Sequence, residues 1–390
     1  MGPYILYAAP LSLYSGKARS YLRKHGIEHV ERSVGDPRFG QEILPQIGRL
    51  IMPVLETPQG EIVQDTVDII DHFETTVAPE RSAYPGTATQ RVVAHLLDMF
   101  GGEGMLRPAM HYRWNFDEVN MPFISDELAT ALAPAGDRDV REQVFAWASG
   151  ALREAATAVG VTERSVPEIE RSYEEFLALL NAHLETAPYL LGGRPTIGDF
   201  GFMGPLYAHL ARDPQPSLIM KRTAGRVWRW VERMNSPSLD AGEYLDYPQQ
   251  LFADDEIPAT LRALMAYIGE EHVAEMLSQV SFMDDWFAEH EESVEGEVFA
   301  YDVAKRFLGM ATFGWRGQEM SVGVVPYRML MLQRLQDAFA ACSEHERHAA
   351  RGLFRSVGLE PLLDARPRRR VARAGNREVW GALQEASLSV

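Results

Sequence analysis

A chain of 390 residues has room for two or three domains and a sizeable core, and its 46% hydrophobic and 24% charged residues are those of a soluble globular protein. A net charge of −17 argues against a nucleic-acid or anionic-membrane partner, and a single cysteine, Cys342, excludes an internal disulfide and a cysteine-rich zinc site. No stretch approaches the roughly twenty apolar residues of a membrane span, and the chain enters a strand pattern without a leader peptide, so the expectation is a cytoplasmic protein.

The first apolar run, Tyr4 to Ala8, ends at Pro10 and reads as a buried strand. Leu11 to Arg19 leads into a helix that closes at Gly26, a residue suited to a helix C-cap. His29 to Val34 alternates like a second strand, and Gln41 to Ile47 is expected to form an irregular helix. Val54-Leu55 and Ile62-Val63, separated by a turn with Pro58 and Gly60, predict a β-hairpin. Pro53 at its entry has no amide proton to give a central strand. That marks a strand end, with a cis Met52-Pro53 bond as the expectation. Gln64-Asp65-Thr66 then opens a helix in which Val67, Ile70 and Phe73 recur at helical spacing, and its free amides and dipole make an anion site.

This succession resembles the glutathione-binding half of the cytosolic glutathione transferases, a thioredoxin-like α/β domain. The resemblance implies that the backbone at Met52 and Pro53 pairs with glutathione's cysteine, and that Gln64, Asp65 and Thr66 hold its γ-glutamyl end. It places the first domain at residues 1–78, a Pro- and Gly-containing linker at 79–89, and an all-helical second domain at 90–247. Helical periodicity runs through Val92 to Trp114, Asp139 to Val159, Val166 to Leu184, Phe200 to Ala211 and Ala224 to Met234. Thr196 and Asp199 have the spacing of a capping box, a structural feature of the family's helical domain. Residues 248–390 form an extension of unassigned role, helical at Ile257 to Val280, Phe299 to Phe307 and Pro326 to Ala341. The basic run Arg366 to Arg373 is either a solvated tail or an internal partner for the acidic surface.

In the serine and cysteine classes of the family the thiol-activating residue follows the first strand. Ser12-Leu13-Tyr14-Ser15 aligns there and puts Ser12 in the activating slot, although the pattern's proline is absent. A cysteine is absent too, so disulfide exchange loses its nucleophile. The task is to stabilise a thiolate whose parent thiol has a pKa of about 8.5, and a hydroxyl donor beside helix amides does so. Tyr14 ranks second as donor. Tyr7 ranks third, because a one-residue displacement on a strand turns its hydroxyl to the other face. Ser15, just before the first helical turn, is expected to be the cap.

The second substrate is expected against Met105, Arg107, His111, Tyr112 and Trp114, where Gly101, Gly102, Gly104 and Pro108 interrupt a helical pattern. The alternative reading of that segment is a core helix that bends. Glu270-Glu271-His272 and the run Glu344 to His348 lack the spacing of a zinc site, and no phosphate-binding or dinucleotide glycine loop occurs. The resemblance implies transfer of glutathione's sulfur to a small hydrophobic electrophile in detoxification, with glutathione as co-substrate, no metal, and a homodimer. A glutathione-dependent isomerase and a non-catalytic binding or assembly protein are the alternatives.

Overall fold

The computed structural model describes residues 2–299 and 307–384. Strand β1 (Tyr4–Tyr7), helix α1 (Leu13–Lys24) and strand β2 (His29–Arg32) form a βαβ unit. After a π-helical turn at Phe39–Ile43 and the short α2 (Leu44–Ile47) come β3 (Val54–Glu56), β4 (Ile62–Gln64) and α3 (Thr66–Thr76). The sheet order is β2-β1-β3-β4; β1 and β2 are parallel, while β3 is antiparallel to both its neighbours. Tyr7 lies opposite Val54, and Val54 opposite Gln64. That register brings the loop after β1, the entry to β3 and the start of α3 to one end of the sheet. This is the expected thioredoxin-like order, and Met52-Pro53 is cis.

The helical part consists of α4 (Ala88–Met99), α5 (Leu106–Trp114), α6 (Asp117–Leu132), α7 (Arg138–Ala158), α8 (Val166–His183), α9 (Ile197–Pro205), α10 (Pro214–Thr223) and α11 (Gly225–Asn235). The predicted single helix from Val92 to Trp114 is split by a π-helical turn at Phe100–Gly104. A Cβ on Gly101 would stand 2.5 Å from the Gly201 carbonyl carbon, so glycine here permits α9 to approach. Two helices went unpredicted. α6 carries Pro122 in its interior, and α10 has Pro214 at its first position, where a missing amide proton costs nothing. The Thr196–Asp199 capping box forms at the start of α9, and burial pushes the Asp199 carboxyl up to about 6.

The extension is a 31-residue helix, α12 (Ala259–Glu289), a hairpin of β5 (Met310–Trp315) and β6 (Gln318–Gly323), then α13 (Pro326–Ala340), α14 (Glu344–Ser356), the single turn α15 (Pro361–Asp364) and a second hairpin of β7 (Arg369–Ala374) and β8 (Arg377–Leu383). The predicted helices at 257–280 and 326–341 are present as α12 and α13. The one at Phe299 to Phe307 falls almost wholly outside the described residues. Neither hairpin was predicted, and the basic run is strand β7 together with the segment leading into it. The extension is no appendage: Leu264, Met276 and Leu332 belong to the same buried cluster as Leu6, Ile70 and Leu97.

Candidate functional site

The loop after β1 is fixed by the helical part. Arg113 donates from Nη1 to the Leu11 carbonyl at 3.0 Å while its Nε and Nη2 clasp the buried Asp213 at 2.7 and 2.8 Å. Ser12 follows in extended conformation and caps α1, its Oγ accepting from the Ser15 amide at 3.3 Å. This corrects the expectation that Ser15 is the cap. Ser15 is buried in the first turn, and its Oγ accepts from the Ala9 amide at 3.4 Å. A helix N-terminus therefore ends on the Ser12 hydroxyl, which accepts there and donates to no acceptor among the described residues.

Tyr14 lies one position into that helix and donates to Glu103 Oε1 at 2.8 Å. Glu103 is buried and also accepts from Arg328 Nε at 3.3 Å; Arg328 in turn donates to Glu275 Oε1 at 2.6 Å, and Glu275 Oε2 accepts from Arg107 at 2.7 Å. The two guanidiniums hold the Glu275 carboxyl well below the usual range, against the upward push of burial. Tyr7 is turned away, as alternation predicts: its hydroxyl donates to Glu56 at 3.2 Å on the far side of the sheet, and burial pushes its pKa up to about 12.

At the other end of the site Asp65 is a non-glycine residue at φ 89°, and its Oδ1 accepts from the Val67 amide at 2.9 Å at the start of α3. Tyr327 of α13 donates to the same oxygen at 3.0 Å, and Nη2 of Arg373 on β7 lies 3.2 Å from Oδ2. Arg49 donates to Gln64 Oε1 at 3.1 Å and to Glu378 of β8 at 3.2 Å. The rings of Tyr14 and Tyr327 meet edge to face at 6.5 Å, which joins the Ser12 end to the Asp65 end. The structure thus gathers Ser12, Tyr14, Met52, Pro53, Gln64, Asp65 and Thr66 around one end of the sheet, and adds Arg49, Tyr327, Arg373 and Glu378. The sequence signal for Arg373 was the basic run, whose reading as an internal partner of acidic groups is the one realised. Tyr327 and Glu378 carried none.

The residues expected to meet a second substrate are all buried. Met105 and Tyr112 sit in the main core, Tyr112 between Phe116 and Tyr173 at ring distances of 5.6 and 5.0 Å. Arg107 lies 4.7 Å from the Trp315 ring, and His111, its pKa lowered by burial, pairs with Glu170 at 3.0 Å. Trp114 alone of the five shares an apolar cluster with Ala9 and Leu11, against which Met52 packs. Phe313, Trp315, Met320 and Val322 of the first extension hairpin complete that cluster. A cavity of about 290 Å³ borders the same loop, lined by Ala8, Ala9 and Pro10, by Glu31 and Arg32, and by Glu127 and Thr130 of α6. Among the described residues no group of three or more His, Cys, Asp or Glu side chains is placed to hold a metal, and no helix is long and apolar enough to cross a membrane.

Two family models match this chain. "Glutathione S-transferase, N-terminal domain" covers residues 6–81, and "Glutathione S-transferase, C-terminal domain" covers residues 162–233. The chain belongs to the glutathione S-transferase family. Both matches end before the extension begins, so all of residues 248–390 lie outside the two models. Solved structures similar to this transferase-family chain include glutathione transferase GSTFuA3 from Phanerochaete chrysosporium, at 15% identity over 62% of this chain and 99% of that one, with a TM-score of 0.42. Another is the beta-etherase LigF from Sphingobium sp. strain SYK-6, at 17% identity over 60% and 95% of the two chains and a TM-score of 0.42. A third is CsGST83044 of Ceriporiopsis subvermispora, solved in complex with glutathione, at 16% identity over 60% and 98% and a TM-score of 0.39. No curated protein matches the chain.

Proposed function

We propose that this family member binds glutathione at the sheet end built from Ser12, Met52-Pro53 and Gln64-Asp65-Thr66, and transfers its sulfur to a small hydrophobic electrophile. One observation carries the choice of Ser12 as the thiolate's partner. Its oxygen already accepts from the first turn of α1, so its proton remains for a ligand and is polarised by the helix end, whereas Tyr14's proton is committed to Glu103. Binding would set thiolate and acceptor in reacting geometry. The acceptor's apolar character is supported by the shared cluster of Leu11, Met52, Trp114 and Phe313 beside the loop. The family resemblance supports pairing into a homodimer, and the single cysteine supports a cytoplasmic setting.

Ultraviolet titration of the bound thiol tests this. Ser12→Ala should raise its apparent pKa by about one to two units, the equivalent of one hydrogen bond to a charged group, while affinity stays nearly unchanged. The substitution also removes a helix cap worth about 1 kcal/mol, so the titration and not activity is the deciding readout. Tyr14→Phe should leave the pKa in place; a shift there and none in Ser12→Ala would assign the activation to tyrosine. A second reading, a binding protein without catalysis, is favoured by the hold that Tyr327 and Arg373 have on Asp65. A chain that takes up no glutathione at millimolar concentration would decide for it.

A further inference from the structure

Around the start of α3 several buried donors have no hydrogen-bond acceptor among the described residues. The Thr66 hydroxyl, in a residue 1% exposed, makes no hydrogen bond, nor does Nε of Arg49. Arg373 is more unusual. It lies 3.2 Å from Asp65, 3.7 Å from Asp68 and 3.3 Å from Glu378, yet none of its three guanidinium nitrogens has the angles of a hydrogen bond to any of them. A guanidinium carries five N–H groups in a planar fork, and a buried donor left unsatisfied bears its full desolvation cost. The cluster thus holds ion pairs in place of hydrogen bonds, with its donors unspent.

The Asp65 carboxylate stands beside these donors, its Oδ2 3.2 Å from Arg373 Nη2. A ligand suited to both features carries a cation to meet that carboxylate, and beside it an acceptor with several lone pairs to take the spare N–H and O–H groups. An α-amino acid end is such a zwitterion, and its planar carboxylate matches the guanidinium fork.

We propose that Arg373, together with the Thr66 hydroxyl, receives the α-carboxylate of the γ-glutamyl end, so that the second extension hairpin is part of the thiol site. This rests on the glutathione reading above and deepens it. The ammonium is then left to Asp65 Oδ2, while Tyr327 holds Oδ1 in position. Arg373 lies 140 residues past the end of the second family match, so the site of this protein is incomplete without its extension.

Calorimetry on the full chain tests the assignment with two thiols, glutathione and 4-aminobutanoyl-cysteinyl-glycine, which lacks only that carboxylate. The unaltered chain should bind glutathione about 10- to 100-fold more tightly than the analogue. Arg373→Gln should weaken glutathione to near the analogue's level and leave the analogue unchanged, and Arg373→Lys, which keeps the charge but not the fork, should recover part of the difference. Tighter glutathione binding by Arg373→Gln would overturn the proposal, because the guanidinium would then be a built-in competitor for the ammonium. Equal weakening of both thiols would overturn it as well, leaving Arg373 a support for the hairpin. If the Gln variant does not fold, the Lys variant decides: an undiminished preference for glutathione rules out the fork. An unaltered chain that binds neither thiol removes the glutathione reading itself, a result distinct from either failure of Arg373.

Discussion

The two hairpins of the extension have the same topology and are held by different forces. In β5–β6 alternate residues Ala311, Phe313 and Trp315 are buried and the residues between them exposed; Phe313 and Trp315 enter the apolar cluster of Leu11 and Trp114, and Ala311 joins the main core. In β7–β8 one face carries both kinds of group. Val371 lies opposite Trp380, and Arg373 opposite Glu378, two residues along. Trp380 packs on Phe287 and Phe299 at ring distances of 4.4 and 3.9 Å, while Arg373 and Glu378 extend to α3 and Arg49. The first hairpin is held mainly by burial, which has no preferred direction, with directional anchors confined to its turn end, where Trp315 Nε1 and Arg316 Nε donate to Glu271 at 2.9 and 2.6 Å. The charged one is specified by which groups can pair, Arg373 with Asp65 and Asp68 and Glu378 with Arg49, and those pairs carry the second hairpin to the start of α3.

That contrast can be broken at its apolar end first. Trp380→Ala should cost about 3 to 5 kcal/mol in urea denaturation, the usual loss for a buried aromatic residue. A loss under about 1 kcal/mol would mean that ion pairs alone hold the second hairpin. Glu378→Gln keeps the shape and removes the charge facing Arg49 and Arg373, and should cost about 1 to 3 kcal/mol. No change in stability would show that the charged end contributes direction without strength.

The smallest effect concerns pH. Burial pushes the Asp68 carboxyl up to about 6 from 3.8, with the Asp65 and Asp71 carboxylates acting the same way and Arg373 opposing them. The folded chain therefore holds this proton more tightly than the unfolded chain. The associated stability is fully present below pH 3.8 and is lost as pH rises through about 6. Relative to Asp68→Asn, the unaltered chain should lose stability between those limits, and parallel stability–pH profiles for the two would refute the assignment.

Much of the first domain was legible in the sequence because its signals are local. Apolar runs at β1 and β3, the turn at Pro58 and Gly60, and the Asp65 cap each report on a few consecutive residues, and the order βαβ then ββα leaves few ways to pair them. The Thr196–Asp199 box was legible for the same reason. The hairpin β5–β6 had a readable signal too, alternation closed by Arg316-Gly317 with φ of 47° and 75°, which is the geometry of a tight hairpin turn. Its neighbours in sequence, 299–307 and 326–341, carry helical periodicity, against which a short alternating pattern stands out little.

What the sequence by itself determined is the local pattern of the first domain: the sheet end with Pro53, Asp65 and the Ser12 loop follows from periodicity and turn chemistry. Which of Ser12 and Ser15 capped α1 was settled only when the chain's entry angle was fixed by Arg113 on the Leu11 carbonyl. That Met105, Tyr112 and His111 are core, and that Asp65 is met by Tyr327 from 262 residues away, also came only with the tertiary structure. Periodicity tells which face of an element leaves water but not what covers it, because burial is non-directional and many partners would serve. A polar contact across the fold has no period at all, since it depends on two distant side chains arriving at one distance and angle.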